Sequence, residues 1–281
     1  MKTIKTILIL CAAVCCFASC KKDVDMTLVQ KTLFENTDIQ QIEVSDAWQV
    51  TVVKDTMNTF VELEYSAYLQ DYVSAQTENN RLKINFNKSV YVYPGSVYKA
   101  VVHTGKIENL EISEASKVSF EGGHFSATSD SLILSLADAS VCSGLDYSGN
   151  ECRITLKGAS HFLDFQLSGI NCEVNVKDAS TCKGSFDMSF HFVADLDDAS
   201  QLIAFGGSAP FGIIRLQNAC LLNMAQTDVR EMHVELSGAS EATVQVSEGM
   251  EGTLKEASTL YYKGHPQIDI DCFDDSQLIP F

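Results

Sequence analysis

A small-residue triplet returns about every twenty residues through the C-terminal two-thirds of the chain. Its central residue lies at positions 115, 139, 159, 179, 199, 219, 239, 257 and 275, so the steps are one of 24, five of 20 and two of 18. Asp178-Ala179-Ser180 and Asp198-Ala199-Ser200 are typical copies. A fixed period in this range indicates a repeat architecture, because each unit must stack on its neighbours to bury its apolar face.

Each triplet is flanked by alternating apolar and polar residues. Apolar residues occur five and three positions before the centre, as in Ile154 and Leu156 or Val174 and Val176, and again three positions after it. Alternation with a period of two predicts a strand with one buried face and one wet face. We therefore expect Leu156 and Val176 to stack inside the molecule.

The sequence predicts an all-β, right-handed parallel β-helix with about 20 residues per coil. Equivalent columns would stack at roughly 4.8 Å per coil, so nine coils would give a rod on the order of 40 Å long. Ala suits the corner because a larger side chain would collide with the copies above and below, and the acid before it suits a turn. The alternative, a β-sandwich, does not predict the same corner nine times.

The N-terminus is predicted to be a lipoprotein signal. A basic start and an apolar stretch lead to Ala18-Ser19-Cys20, which is similar to a bacterial lipobox with Cys20 as the lipidated first residue of the mature protein. The apolar stretch is too short to span a bilayer as a helix. The predicted partner of this end is therefore a lipid bilayer, reached through the Cys20 anchor.

Charge restricts the other partners. The formal charge of −17 becomes −19 when cleavage removes Lys2 and Lys5. Such a surface repels nucleic acid and anionic lipid, which argues against both as partners, and is compatible with neutral glycans or other cell-surface polymers. The sequence leaves the oligomeric state open, with a homo-oligomer as one alternative.

Six cysteines lie beyond Cys20. We expect Cys142, Cys182 and Cys272 to occupy buried columns as small hydrophobic residues. Cys152 and Cys172 share another column on adjacent coils, where a disulfide would fit by distance more readily than by direction. No Cys-x-x-Cys spacing occurs, so the sequence predicts no metal site and no cofactor.

The segment before the repeats has a different pattern. It contains five predicted strands, a predicted short helix at 67–77 and turns at 79–80 and 94–95; the strands are 39–44, 48–53, 59–65, 81–86 and 97–103. A solenoid needs a cap, because an open stack of strands leaves unpaired edges. The predicted organisation is a signal peptide at 1–19, a tether at 20–30, an N-terminal β-rich cap at 31–105 and β-helix repeats at 106–281, with 31–281 as one continuous unit.

Together, the lipobox, the Arg81–Ile84 strand segment and the repeated Ala-Ser corners resemble the "putative auto-transporter adhesin, head GIN domain" family of Bacteroidetes lipoproteins, over about residues 27–281. The resemblance implies a pectin-lyase-like right-handed β-helix and a role in adhesion, and it brings no catalytic residues. The corners here carry more Asp than is usual in that family. Lys21-Lys22-Asp23-Val24-Asp25 resembles the tract that exports some lipoproteins of these bacteria, so the predicted location is the outer membrane at the cell surface, with its periplasmic face as the alternative.

The function predicted is a non-catalytic adhesin or glycan-contacting module; the alternative is a polysaccharide lyase or hydrolase on the same fold. Such enzymes need unlike catalytic groups gathered on one or two coils. The acids Asp138, Asp178 and Asp198 instead recur once per coil, as turn-forming residues do. The alternative role for these acids is weak calcium binding between stacked carboxylates. Exposed aromatic side chains are the candidates for contact with sugars, with core packing as the competing interpretation: Tyr91, Tyr93, Tyr98, Tyr261 and Tyr262.

Overall fold

The computed structural model describes residues 24–281, which form 21 strands, one 3₁₀ turn at Ala67–Leu69 and no α-helix. The strands are β1 (Leu28–Leu33), β2 (Gln41–Val44), β3 (Gln49–Lys54), β4 (Phe60–Ser66), β5 (Val73–Glu78), β6 (Arg81–Phe86), β7 (Tyr98–Thr104), β8 (Asn109–Ile112), β9 (Lys117–Glu121), β10 (Phe125–Ser126), β11 (Ser131–Leu136), β12 (Val141–Ser143), β13 (Asp146–Leu156), β14 (His161–Val176), β15 (Thr181–Leu196), β16 (Gln201–Leu216), β17 (Leu221–Leu236), β18 (Glu241–Leu254), β19 (Thr259–Lys263), β20 (Gln267–Cys272) and β21 (Gln277–Pro280).

The strands stack in parallel as a β-solenoid of about nine turns with about 20 residues in each, which confirms the predicted fold class. We call the stack before each corner the leading sheet: β2, β8, β11, the second halves of β13–β18, and β20. The stack after each corner is the trailing sheet: β3, β9, β12, the first halves of β14–β18, and then β19 and β21. The register pairs Leu156 with Val176, as expected, and both are fully buried.

The corners are tight turns in which two successive residues have positive φ. At Asp178 and Ala179 the φ values are 56° and 58°, and the amide of Ser180 donates to the carbonyl of Lys177 at 3.2 Å. This geometry is that of a type I′ turn, which asks for small or turn-forming residues at both central positions. Seven corner serines are buried and that of the last corner, Ser276, is half-buried. The hydroxyl of Ser160 donates to the carbonyl of Lys157 at 2.7 Å. The recurring triplet is therefore a turn with its own internal hydrogen bond.

The segment predicted to be a cap contains one further coil of the solenoid, in addition to strands that cover the N-terminal end of the stack. β2 and β3 flank a further corner at Asp46-Ala47, with φ of 60° at both residues, and they pair in parallel with β8 and β9. The covering strands pair antiparallel: β1 with β4, β4 with β7, and β5 with β6. All five predicted strands are present; the predicted helix at 67–77 is wrong beyond its first turn, because Val73 begins β5, which pairs with β6.

The buried columns fill the space between the sheets. Trp48, Phe162, Phe186 and Phe192 are among the largest fully buried side chains. At the C-terminal end this core is open. Cys272, predicted to be buried, is exposed because no other coil formed by residues 24–281 covers the last one.

Candidate functional site

The outer face of the leading sheet carries a shallow groove that runs across successive coils. It consists of two depressions of about 370 and 400 Å³, both lined by His191 and Ile213. Outward side chains of β13–β18 and β20 form its floor, because alternation turns every second residue of each strand to this face. The groove thus extends over neighbouring coils and is not confined to one.

Aromatic rings cluster where the two depressions meet. Phe190 is 45% exposed, and its ring centroid lies 3.9 Å from that of His191 and 5.5 Å from that of Phe211. The guanidinium carbon of Arg230 lies 5.3 Å from the centroid of Phe211. Rings that keep a solvent-facing surface while being held by their neighbours offer a rigid platform for an apolar ligand face.

Charged and amide side chains surround this platform. At one end Arg153 pairs with Glu173 at 3.2 Å, and the Asn175 amide donates to Glu173 at 3.0 Å. The Asn175 hydrogen bond, helped by Arg153, lowers the pKa of Glu173, so that carboxylate stays ionised. At the other end His233 lies between Glu235 at 3.2 Å and Glu251 at 3.3 Å. The groove is therefore apolar in the middle and rich in hydrogen-bonding groups at its ends.

A second concavity lies on the outer face of the trailing sheet, near the N-terminal end. It encloses about 650 Å³ and includes Lys99, Lys117, Thr51 and Ser119 in its lining. The register places Lys99 and Lys117 on either side of Gln49, and within residues 24–281 neither lysine has an ion-pair partner closer than 4.0 Å. The lining of this concavity is mixed, since it also includes Val101 and Val141, and it lacks the aromatic platform that distinguishes the groove.

Of the aromatic residues predicted for sugar contact, the structure leaves Tyr91 the most exposed, at 71%. Tyr93 lies beside it, with ring centroids 4.8 Å apart. Tyr98 is half-buried against Trp48, at 5.8 Å between ring centroids, so the packing interpretation holds for it. Tyr262 packs against the core and Tyr261 is half-buried.

The corner acids occupy turn positions. Asp138, Asp178 and Asp198 have φ between 52° and 56°, which agrees with their predicted role in the turns. Among residues 24–281 no group of three or more His, Cys, Asp or Glu side chains is arranged to hold a metal ion. The predicted lipidation site, Cys20, lies outside the described residues.

The cysteine columns lie where the pattern predicts, apart from Cys272. Cys152 and Cys172 are register partners on β13 and β14 and both are free thiols. Burial raises the pKa of Cys152 to about 12 and that of Cys172 well above its ordinary value, so both thiols stay protonated at neutral pH. They act as small core residues.

Sequence reasoning missed Phe190, His191 and Phe211 as a group. The signal that could have found two of them is the alternation itself, because His191 and Phe211 stand eight residues before a corner centre, in a column that faces outward. Phe190 occupies the bend before this column, and no periodicity predicts that its ring turns toward Phe211.

The fold and the groove define this chain as a β-solenoid with an extended, partly aromatic outer surface. It belongs to the family described as "Putative auto-transporter adhesin, head GIN domain", whose model matches residues 38–266. No curated protein matches the chain.

Solved structures share this fold over almost their whole length. A "putative adhesin" from Parabacteroides merdae superposes with a TM-score of 0.67 at 10% identity, covering 91% of this chain and 96% of that one. A "putative adhesin" from Parabacteroides distasonis gives a TM-score of 0.64 at 14% identity, with 92% and 98% covered. A "putative lipid binding protein" from the same species gives 0.62 at 15% identity, with 92% and 98% covered. At these identities the likeness shows a common fold.

Proposed function

We propose that this protein is a non-catalytic, lipid-anchored adhesin of the outer membrane, exposed at the cell surface, and that the groove of the leading sheet contacts glycans. Membership of the adhesin family supports the surface role. No helix among residues 24–281 is long and apolar enough to cross a membrane. We assign the membrane anchor to Cys20 because of its lipobox-like sequence context.

The observation that carries the glycan proposal is the Phe190–His191–Phe211 platform. His191 lines both depressions and Phe211 lines one of them, while the exposed ring of Phe190 lies beside both. A sugar ring has an apolar face of C–H groups and a rim of hydroxyls. The aromatic platform matches the face, and Arg153, Glu173 and Glu251 match the rim as donors and acceptors. Contact repeated along a chain of sugars gains avidity, because linked sites bind as one.

Glycan-array binding of the soluble chain from Lys21 onward tests the groove. Phe211→Ser should weaken binding by between about two- and tenfold, since an aromatic contact contributes about 0.5–1.5 kcal/mol. Phe273→Ser is the matched control, because Phe273 is also half-exposed, at 50%, but lies at the last corner and lines neither depression of the groove. Equal binding by both variants would contradict the assignment of the groove.

The same soluble chain separates adhesion from catalysis. It should bind glycans on the array, and incubation with pectins, glycosaminoglycans or mucin glycans should produce no new reducing or unsaturated ends. Turnover that a single substitution abolishes would identify a polysaccharide-degrading enzyme instead.

Membrane fractionation tests the anchor. Cys20→Ala should release the protein from the membrane fraction of the producing cell. Its continued association with the membrane would exclude Cys20 as the sole attachment.

A further inference from the structure

A cluster of tyrosines lies beside the point where the described chain begins. Tyr68 and Tyr93 have ring centroids 5.5 Å apart, and the backbone amide of Tyr93 donates to the hydroxyl of Tyr68 at 3.1 Å. Tyr91 extends the cluster outward from Tyr93. We call Met26, Tyr68, Tyr91 and Tyr93 the tyrosine surface.

The N-terminal residues are fixed against this surface by backbone hydrogen bonds. The amide of Tyr68 donates to the carbonyl of Asp25 at 3.1 Å, and that of Ala67 donates to the carbonyl of Thr27 at 2.7 Å. Met26, which is 39% exposed, has its sulfur 3.9 Å from the hydroxyl of Ser96, which in turn lies 2.6 Å from the hydroxyl of Tyr68. The chain therefore enters the folded unit at the tyrosine surface.

The covalent distance to the proposed anchor is short. Cys20 and Asp25 are separated by five peptide units, which span at most about 19 Å at 3.8 Å between successive Cα atoms. A lipidated Cys20 lies at the membrane surface, so Asp25 must lie within this distance of the bilayer. The tyrosine surface adjoins Asp25, whose carbonyl accepts a hydrogen bond from the amide of Tyr68. The opposite, C-terminal end of the solenoid is on the order of 40 Å away along the stack of coils.

The chemistry of the surface suits that position. Tyrosine is enriched at membrane–water interfaces, because its ring is apolar and its hydroxyl is polar. Lys88 lies over the ring of Tyr72, at 4.8 Å from its centroid, and Lys21 and Lys22 follow the anchor directly. The Asp25 carboxylate accepts a hydrogen bond from the amide of Thr27 at 2.9 Å and follows Lys22 by three residues in the sequence, so both signs of charge are present. Such a mixture fits zwitterionic headgroups better than a strongly anionic surface.

We propose that the tyrosine surface rests on the headgroup layer of the membrane and so orients the solenoid with its C-terminal end outward. The proposal depends on the proposed anchor at Cys20. In this orientation the long axis of the solenoid points away from the bilayer. The groove of the leading sheet, which extends over successive coils along that axis, therefore projects away from the membrane.

Spin labelling of the full, lipid-modified protein tests this orientation. The protein is reconstituted into vesicles of phosphatidylethanolamine and phosphatidylcholine, in a Cys272→Ser background that removes the exposed thiol. A nitroxide is placed at Tyr91→Cys or, as the matched control, at Phe273→Cys on the last coil. Its collision rates with oxygen, which enters lipid, and with a water-soluble nickel chelate are compared with those in the soluble chain from Lys21 onward.

The label at 91 should gain oxygen contact and lose nickel contact in vesicles, by at least about twofold in their ratio, while the label at 273 should not change. An unchanged ratio at 91, with lipid found on Cys20 by mass spectrometry, would overturn the orientation and leave the anchor intact. An unmodified Cys20 in membrane-bound protein would overturn the anchor and the orientation together.

Discussion

At the scale of single residues, the corner alanines have a backbone conformation that alanine ordinarily avoids. Ala179 has a φ of 58°, a left-handed conformation that costs an L-residue about 1–2 kcal/mol. Its amide donates to the carbonyl of Asp198 on the next coil at 2.9 Å, and the equivalent bond recurs at other corners. These hydrogen bonds between coils offset the cost of the left-handed conformation. The residue is small because bulky and β-branched side chains are strained at positive φ.

Substitutions at Ala179 should separate backbone strain from packing. Ala179→Val should lower the free energy of unfolding in urea by about 1–3 kcal/mol, because a β-branched residue is strained at positive φ. Ala179→Gly should change it by less than about 1 kcal/mol, since glycine adopts this φ freely but gains entropy when unfolded. Thr181→Val, on the adjacent strand β15, is the control for a valine side chain close to the corner at an ordinary strand φ. Similar losses at 179 and 181 would contradict the strain explanation.

A single inward side chain tests the register. Leu156→Asp should cost on the order of 3–5 kcal/mol of unfolding free energy, because it places an unpaired carboxyl in a fully buried column. Lys157→Asp, the next residue and an exposed one, should cost less than about 1 kcal/mol. Equal losses measured by urea denaturation would show that the assigned faces are wrong.

At the scale of elements, the first two corners bring carboxyl groups of adjacent coils together. A hydrogen bond with Asp46 is the main cause of a raised pKa at Glu114, and burial and the charge of Asp46 add to it. A raised pKa means that the folded chain binds this proton more tightly than the unfolded chain does. The contribution of Glu114 to stability therefore grows as the pH falls through its folded pKa and is lost as the pH rises.

Glu114→Gln should remove this pH dependence. The variant should be more stable than the parent protein at pH 7 and should gain less stability when the pH is lowered from 7 towards 4.5, the ordinary value for the group. Thermal unfolding followed across that range gives the comparison. Glu256→Gln is the matched control, because Glu256 has the same corner position but follows a coil whose corner carries Gly238. A parallel pH profile for the parent and Glu114→Gln would exclude the coupling with Asp46.

At the scale of the whole molecule, coils in the middle of the stack are covered on both sides, whereas the last coil is covered on one. Val174 is fully buried, while Ile270, at the same position relative to its corner, is half-buried and its strand β20 is exposed along most of its length. In a solenoid each repeat contacts only its neighbours, so stability depends on position along the stack.

The same substitution should therefore cost less at the end of the rod. Val174→Asp should destabilise the protein by about 3–5 kcal/mol, and Ile270→Asp by about 1–2 kcal/mol, because water reaches the second carboxyl. Hydrogen exchange should show the matching order, with amides of β20 and β21 exchanging before those of β14 and β15. Equal protection along the stack would mean that another chain covers the C-terminal end in solution.

The sequence by itself determined the repeat, the turn at each corner and the inward columns. These depend on short-range rules: alternation places Leu156 and Val176 inward, and a turn with two positive φ values selects Asp-Ala-Ser. Because the period is about twenty residues, equivalent positions of successive coils then lie directly above one another. For this reason the fold class could be predicted, together with five of the seven strands in residues 24–104; β1 was not predicted, and β5 lies in the segment predicted to be a helix.

Only the tertiary structure decided which non-repeating segments meet. The corner at Asp46-Ala47 lacks the usual serine, and its coil is completed by pairing Gln49 with Lys117, 68 residues away. The aromatic platform depends on a ring from the bend at Phe190 reaching Phe211 on the next coil, and the exposure of Cys272 depends on the stack ending there. Periodicity carries no signal for these features, because they arise where the repeat is broken or ends and long-range contacts choose the arrangement.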